Sequence, residues 1–276
     1  MDTYYGNATT VTSLKDGQID IAGGYFNDMD EGGFLVMTLS PDGLPMHVTE
    51  YPRPLTPLGS AILSPIGMGV LDNGQTVIAG AYKLKDKPES AYVLWFDQKG
   101  MFKNGHIYSL RNAVDTPVTV GSFTIRREVG ATNRIALVGN SGAVGVVRAM
   151  NEPGDQAIAL LIDEQGNVSS EVSVRASGTQ STNHSNSEYD DIAPLQDGSF
   201  ALLGTTDGFG APIVNFIFSV WTPHDNTSAL FNVFSIDVQA APVPVPAVSG
   251  DTDRIENVPA SKIDVTELKV SNLEHP

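Results

Sequence analysis

Leu71-Asp72-Asn73-Gly74-Gln75-Thr76-Val77-Ile78-Ala79-Gly80 decides the fold class, because it is a tight turn feeding an apolar strand. Asn-Gly supplies the positive φ angles of a two-residue hairpin turn, and the β-branched run from Thr76 to Ile78 favours a buried strand. The pattern recurs at Leu14-Lys15-Asp16-Gly17-Gln18-Ile19-Asp20-Ile21-Ala22-Gly23 and at Leu195-Gln196-Asp197-Gly198-Ser199-Phe200-Ala201-Leu202-Leu203-Gly204. A weaker copy ends at Gly139. The four terminal glycines are 57, 59 and 65 residues apart, a period with loop-length variation that marks a repeat architecture.

A second marker follows each copy: Phe34 to Leu39 before Asp42-Gly43, Ala91 to Phe96 before Lys99-Gly100, and Ala157 to Ile162 before Gln165-Gly166. In the fourth copy, Phe216 to Trp221 precedes His224-Asp225-Asn226 and the glycine is lost. Each unit therefore reads as strand, tight turn, strand, longer loop, strand, second tight turn, strand. The fourth strands fall at Met46 to Tyr51, His106 to Leu110, Val168 to Val174 and Leu230 to Val238. Such a sheet cannot bury both faces alone, so the copies must stack on one another. The third strands, as in Tyr92-Val93-Leu94-Trp95-Phe96, are apolar almost throughout, which suits strands covered on both sides.

From about residue 8 to 238 the chain resembles bacterial β-propeller repeats, whose units carry an Asp-Gly turn, an apolar strand ending in Ala-Gly, and a second apolar strand with its own turn. The resemblance implies an all-β propeller of four four-stranded antiparallel blades, at about 8–55, 60–115, 121–176 and 188–239. Residues 1–239 would form the propeller, and 240–276 a Pro-rich linker, from Ala240-Ala241-Pro242-Val243-Pro244 onward, with a C-terminal tail. A β-sandwich could use the same hairpins, though nothing in it would require a regular period. Four units could also be one part of a larger ring.

Composition narrows the function classes. Of 276 residues, 27 are Gly and 17 Pro while only 17% are charged, which fits many short strands joined by turns. The net charge of −16 repels phosphate backbones and anionic lipid, so nucleic acid is not an expected partner. Without cysteine there are no disulfides, thiolate metal sites or cysteine nucleophiles. No stretch is apolar for long enough to predict membrane insertion, and no signal peptide is visible after Met1.

Turns of the first and third kind leave each sheet at one end and are short. The longer loops gather at the other end, which is therefore the expected binding face. Tyr25, Tyr82 and Tyr189 there offer stacking surfaces for a sugar or peptide, and Asp28, Asp30 and Asp190 offer acceptors. His184 is the one histidine on that face; His47 and His106 follow the second turns and read as structural. Asn27, Asp28, Asp30 and Glu31 form the densest oxygen cluster and a weak calcium candidate, since they lack the distal glutamate of a full calcium loop. No other cofactor is implied. Gly67-Met68-Gly69 and Gly208-Phe209-Gly210 read as loop glycines, because neither sits in a nucleotide-binding setting.

These features predict a non-catalytic binding or structural module that recognises a carbohydrate or protein through its long-loop face. Display on a cell surface or virion is the expected setting, with the tail joining the chain to a homo-oligomer or larger assembly. The competing reading is a polysaccharide hydrolase or lyase using Asp28, Asp30, Asp190 or Asp191.

Overall fold

The computed structural model describes residues 4–14, 16–27, 32–52, 55–56, 59–84, 87–111, 117–127, 133–141, 156–174, 187–206, 215–224, 231–236, 238 and 241–243. All of them belong to one compact unit, Met1–Pro244; a second unit, Val245–Pro276, lies outside them. The described residues are all strand, turn and connection, with no helix among them.

Sheet 1 holds β1 (Tyr4–Ser13), β2 (Ile19–Asn27), β3 (Gly32–Leu39) and β4 (Pro45–Pro52) in sequence order. After the short β5 (Leu55–Thr56), sheet 2 holds β6 (Gly59–Val70), β7 (Thr76–Leu84), β8 (Ser90–Phe96) and β9 (Phe102–Leu110). Sheet 3 holds β10 (Val118–Arg127), β11 (Asn133–Ser141), β12 (Gln156–Ile162) and β13 (Val168–Val174). Among the described residues sheet 4 holds β14 (Ser187–Pro194), β15 (Phe200–Thr206) and β16 (Asn215–Trp221). The last strands, β17 (Phe231–Ser235) and β18 (Ala241–Val243), leave that unit altogether.

The turns explain the Asp-Gly and Asn-Gly signal, with one correction. Gly17, Gly43, Gly74, Gly100, Gly166 and Gly198 all have positive φ. In each turn the glycine amide donates to the carbonyl three residues back, as Gly74 does to Leu71 at 2.9 Å. That is a three-residue loop with one left-handed glycine, rather than a two-residue loop in which the Asp or Asn would also need positive φ. The acidic or amide side chain instead caps the turn: Asn73 Oδ1 accepts from the Gln75 amide at 2.9 Å, and Asp197 Oδ1 from the Ser199 amide at 3.0 Å.

The glycines that define the period have a different cause. The first strand of every sheet carries a bulge at the same place, at Thr9, Ile66, Gly121 and Asp190, opposite Gly23, Gly80, Gly139 and Gly204. Each bulge turns a carbonyl toward the second strand. A Cβ on Gly80 would overlap the Ser64 carbonyl oxygen, one on Gly139 that of Thr119, and one on Gly204 that of Glu188. Only glycine leaves room there.

Alternation along the strands then stacks the sheets in chain order. Ala22, Phe34 and Val36 of sheet 1 pack against Ile78, Tyr92 and Leu94 of sheet 2. The opposite face of sheet 2, with Val77, Val93 and Trp95, packs against Ile135, Leu137 and Leu160 of sheet 3. Ala136, Val138 and Leu161 of sheet 3 meet Tyr189, Phe200 and Leu202 of sheet 4. Each first strand lies across the preceding sheet, β10 over sheet 2 and β14 over sheet 3. Consequently β8 is buried at every position, as expected for a third strand covered on both sides. Among the described residues no contact of similar extent joins β14 back to β1, and what they show is an ordered stack of sheets.

The fourth unit departs from the expected four-stranded blade. Of the strand expected at Leu230 to Val238, Phe231–Ser235 pairs antiparallel with β9, with Phe231 opposite Leu110 and Ser235 opposite His106. Phe231 is buried in the core between sheets 2 and 3, and the Arg111 guanidinium donates to its carbonyl at 3.3 Å. Burying that ring stabilises the pairing by roughly 1.5–3 kcal/mol. Ala241–Val243, from the Pro-rich stretch, adds to β4 in the same way. Gly67-Met68-Gly69 also differs from its loop reading and lies inside β6, where the missing side chains admit Phe123 and Ile125 of β10.

Candidate functional site

The bulged first strands of sheets 1 to 3 line an open groove of about 460 Å³. Thr10 contributes from β1, Gly67 and Met68 from β6, and Ser122, Phe123 and Thr124 from β10. Two glycines on β6 keep one wall low, and the hydroxyls of Thr10, Ser122 and Thr124 provide donors beside the Phe123 ring. An open groove of that size, with hydroxyls and backbone beside one aromatic ring, suits a small polar or amphipathic ligand or a side chain of a larger partner.

Acidic groups adjoin the groove on β14. Gly121 lies against the backbone of Tyr189 and Asp190, close enough that a Cβ would stand 2.8 Å from the Tyr189 carbonyl. The exposed Asp190 is the bulged residue, and partial loss of solvent together with the Glu188 charge raises its pKa. Asp191 accepts from the Ser122 hydroxyl at 3.1 Å and from the Ile192 amide at 2.8 Å. Glu188 accepts from Thr205 at 3.1 Å. Asp191 and Glu188 are thus tied into sheets 3 and 4, leaving Asp190 as the acid of this group with no fixed partner among the described residues.

A second polar group is buried between sheets 1 and 2 at the tight-turn end. The Thr38 hydroxyl donates to Asp20 at 2.6 Å and lies 3.2 Å from His47 Nε2. Burial raises the Asp20 pKa, opposed by hydrogen bonds from Thr38 and Thr76 and by the nearby His47. His47 also lies beside Gly100 of sheet 2, and His106 takes the same place beside Gly166 of sheet 3. The two histidines therefore occupy equivalent positions at successive sheet interfaces.

The residues predicted for the long-loop face divide into two groups. Asp28, Asp30, Glu31 and His184 lie outside the described residues, and of Tyr25 and Asn27 only the backbone, in β2, is described. Tyr82 and Tyr189 lie within β7 and β14 instead of in loops. Tyr82 is half-buried against the sheet 1–sheet 2 core, and Tyr189 is buried with its hydroxyl 3.2 Å from Ser219. Their strands run further toward the long-loop end than turn signals alone indicated. Among the described residues no group of three or more acids and histidines could hold a metal, and no helix is long and apolar enough to cross a membrane.

Sequence reading did not find the largest anomaly, which is on sheet 4. Phe216 is 82% exposed, Phe218 70% and Val220 57%, with Leu203 beside Phe218 on the same face. The equivalent residues in sheet 3, including Val138, Ala159 and Leu161, are almost wholly buried because sheet 4 covers them. The signal was present as a third strand with phenylalanine at alternate positions. It read as core because every earlier third strand is core. Beside this face, no strand among the described residues pairs with the second edge of β16, since β17 joins β9 instead. No protein-family model and no curated protein matches the chain.

Proposed function

We propose that this chain is a non-catalytic interaction module whose partner is a protein, bound through the uncovered face and open edge of sheet 4. The observation that carries this reading is the row Phe216, Phe218 and Val220, standing in solvent where the same row of every preceding sheet is buried. An apolar sheet face beside an unpaired strand edge fits a protein surface, since a partner covers the side chains and a strand satisfies the backbone. The groove beside β14 provides a second, smaller contact, with Asp190 as an acceptor for a polar group.

Replacing Phe218 by a photo-reactive benzoylphenylalanine and irradiating in extracts of the producing cells tests the reading. A discrete protein adduct is expected at position 218 and none at the exposed turn residue Asp42. Absence of any adduct at 218, or turnover across a polysaccharide panel that Asp190→Asn abolishes, contradicts it.

A further inference from the structure

The repeat specifies what covers sheet 4. Every covered face that a sheet turns toward the next unit, made of Ala22, Phe34 and Val36 in sheet 1, Val77 and Val93 in sheet 2, or Val138 and Leu161 in sheet 3, meets the same kind of surface. That surface is the reverse face of another sheet of this build, reached across a bulged first strand. Three such interfaces in one chain amount to a rule for the fourth. The face built from Leu203, Phe216, Phe218 and Val220 is the next in this series and lacks only its cover.

Among the described residues the reverse face of sheet 1 is also without a covering sheet. Val11 on β1 is 63% exposed and is paired with Ile21, while Leu35 and Met37 of β3 share that face and are only half-buried. The equivalent residues of sheet 2, Ile78, Tyr92 and Leu94, are buried. The stack thus ends in two apolar faces of opposite kind, and among the described residues they share no sheet-to-sheet contact of the extent seen between successive sheets.

We infer that the partner of sheet 4 is a second copy of this chain, whose sheet 1 continues the stack in head-to-tail fashion. This rests on the protein-binding reading above and makes it specific. The contact is heterologous, so repetition through both ends of two copies closes a ring of eight sheets, and the interface repeats the chemistry already used three times internally. It also explains why both end faces are apolar in a chain whose charge of −16 would otherwise keep copies apart.

The absence of cysteine makes the test direct. Val11→Cys and Phe218→Cys are prepared separately, one carrying a mass tag, then mixed and oxidised mildly. The expected product is a disulfide-linked dimer joining 11 of one copy to 218 of the other, at least tenfold over either same-site dimer, and the double variant is expected to give dimers. An oxidised monomer of the double variant would mean that the stack closes within one chain and would overturn the inference. Predominant 218-to-218 dimers, or no 11-to-218 product while both thiols still react with maleimide, would overturn it too. If the 218 photo-adduct contains a different protein, the inference fails and the interaction reading stands; if no adduct forms, both fail.

Discussion

The Tyr51 hydroxyl donates to the Gly100 carbonyl at 2.8 Å, joining the last strand of sheet 1 to the second turn of sheet 2. One unit later Tyr108 repeats the bond to Gly166 at 2.9 Å, from sheet 2 to sheet 3. The bond has no counterpart between sheets 3 and 4, because Val174 stands at the tyrosine position and the fourth unit's second turn has lost its glycine. The two clamps and their loss follow the same boundary as the missing fourth strand.

Tyr51→Phe and Tyr108→Phe are each expected to lower stability by about 1 kcal/mol, since each leaves a turn carbonyl without its donor. Tyr92→Phe is expected to do the opposite. The Tyr92 hydroxyl is buried without a hydrogen-bond partner among the described residues, so its removal relieves a desolvation cost of about 1 kcal/mol. Urea unfolding of the three variants checks the signs.

Gly80→Ala, Gly139→Ala and Gly204→Ala are expected to cost about 3 kcal/mol each, because the added methyl meets a bulge carbonyl that cannot withdraw without breaking the strand pairing. Gly24→Ala is the control. Nothing lies within 4 Å of its added Cβ and its φ is not positive, so thermal unfolding should be unchanged or slightly raised.

His106 gives stability a defined pH dependence. Burial lowers its pKa below the ordinary 6.5, opposed by the Asp163 charge and a backbone hydrogen bond with Gln165. Between that lowered value and 6.5 the unfolded chain binds more protons than the folded one, so this contribution is full above 6.5 and is lost as pH falls. Asp20 has the reverse sign: its raised pKa means the folded state binds the extra proton, and stability rises as pH falls toward 3.8. Thermal melts from pH 7 to 5 should decline for the wild type and flatten for His106→Gln.

Phe231→Ala is expected to release β17 from β9. Truncating a buried aromatic costs about 3–5 kcal/mol when the whole fold depends on it, but here the loss should concentrate at the added strand. Hydrogen exchange should accelerate in β9 at His106–Leu110, the residues opposite β17, while β8 remains protected.

The strands were legible because their signals are local: an Asp, Asn or, at Ser40, a hydroxyl caps each turn, one glycine takes positive φ, and another glycine faces each first-strand bulge. The destination of Phe231–Ser235 was not legible. Alternation identifies a strand but not the edge it joins, and Leu110 lies more than a hundred residues earlier in the chain. The same non-local choice hid the exposed face, since Phe216 and Phe218 look like core until the sheet that should cover them is seen to be missing. Strand ends carry no fixed sequence signal at Tyr82 and Tyr189, so the sequence alone reads them as loop residues, and it marks Asp190 as an acceptor without showing the bulge that sets it beside the groove.

Sedimentation of the wild type against Phe216→Ser/Phe218→Ser tests the central claim, that the uncovered face of sheet 4 binds a second copy of this chain, most directly. Both side chains are exposed, so the variant should keep its thermal stability to within about 0.5 kcal/mol. The account predicts a wild-type mass above that of one 29.3 kDa chain, increasing with concentration, and a variant that remains at the mass of one chain. Equal masses for the two proteins, whether both single or both associated, would contradict it.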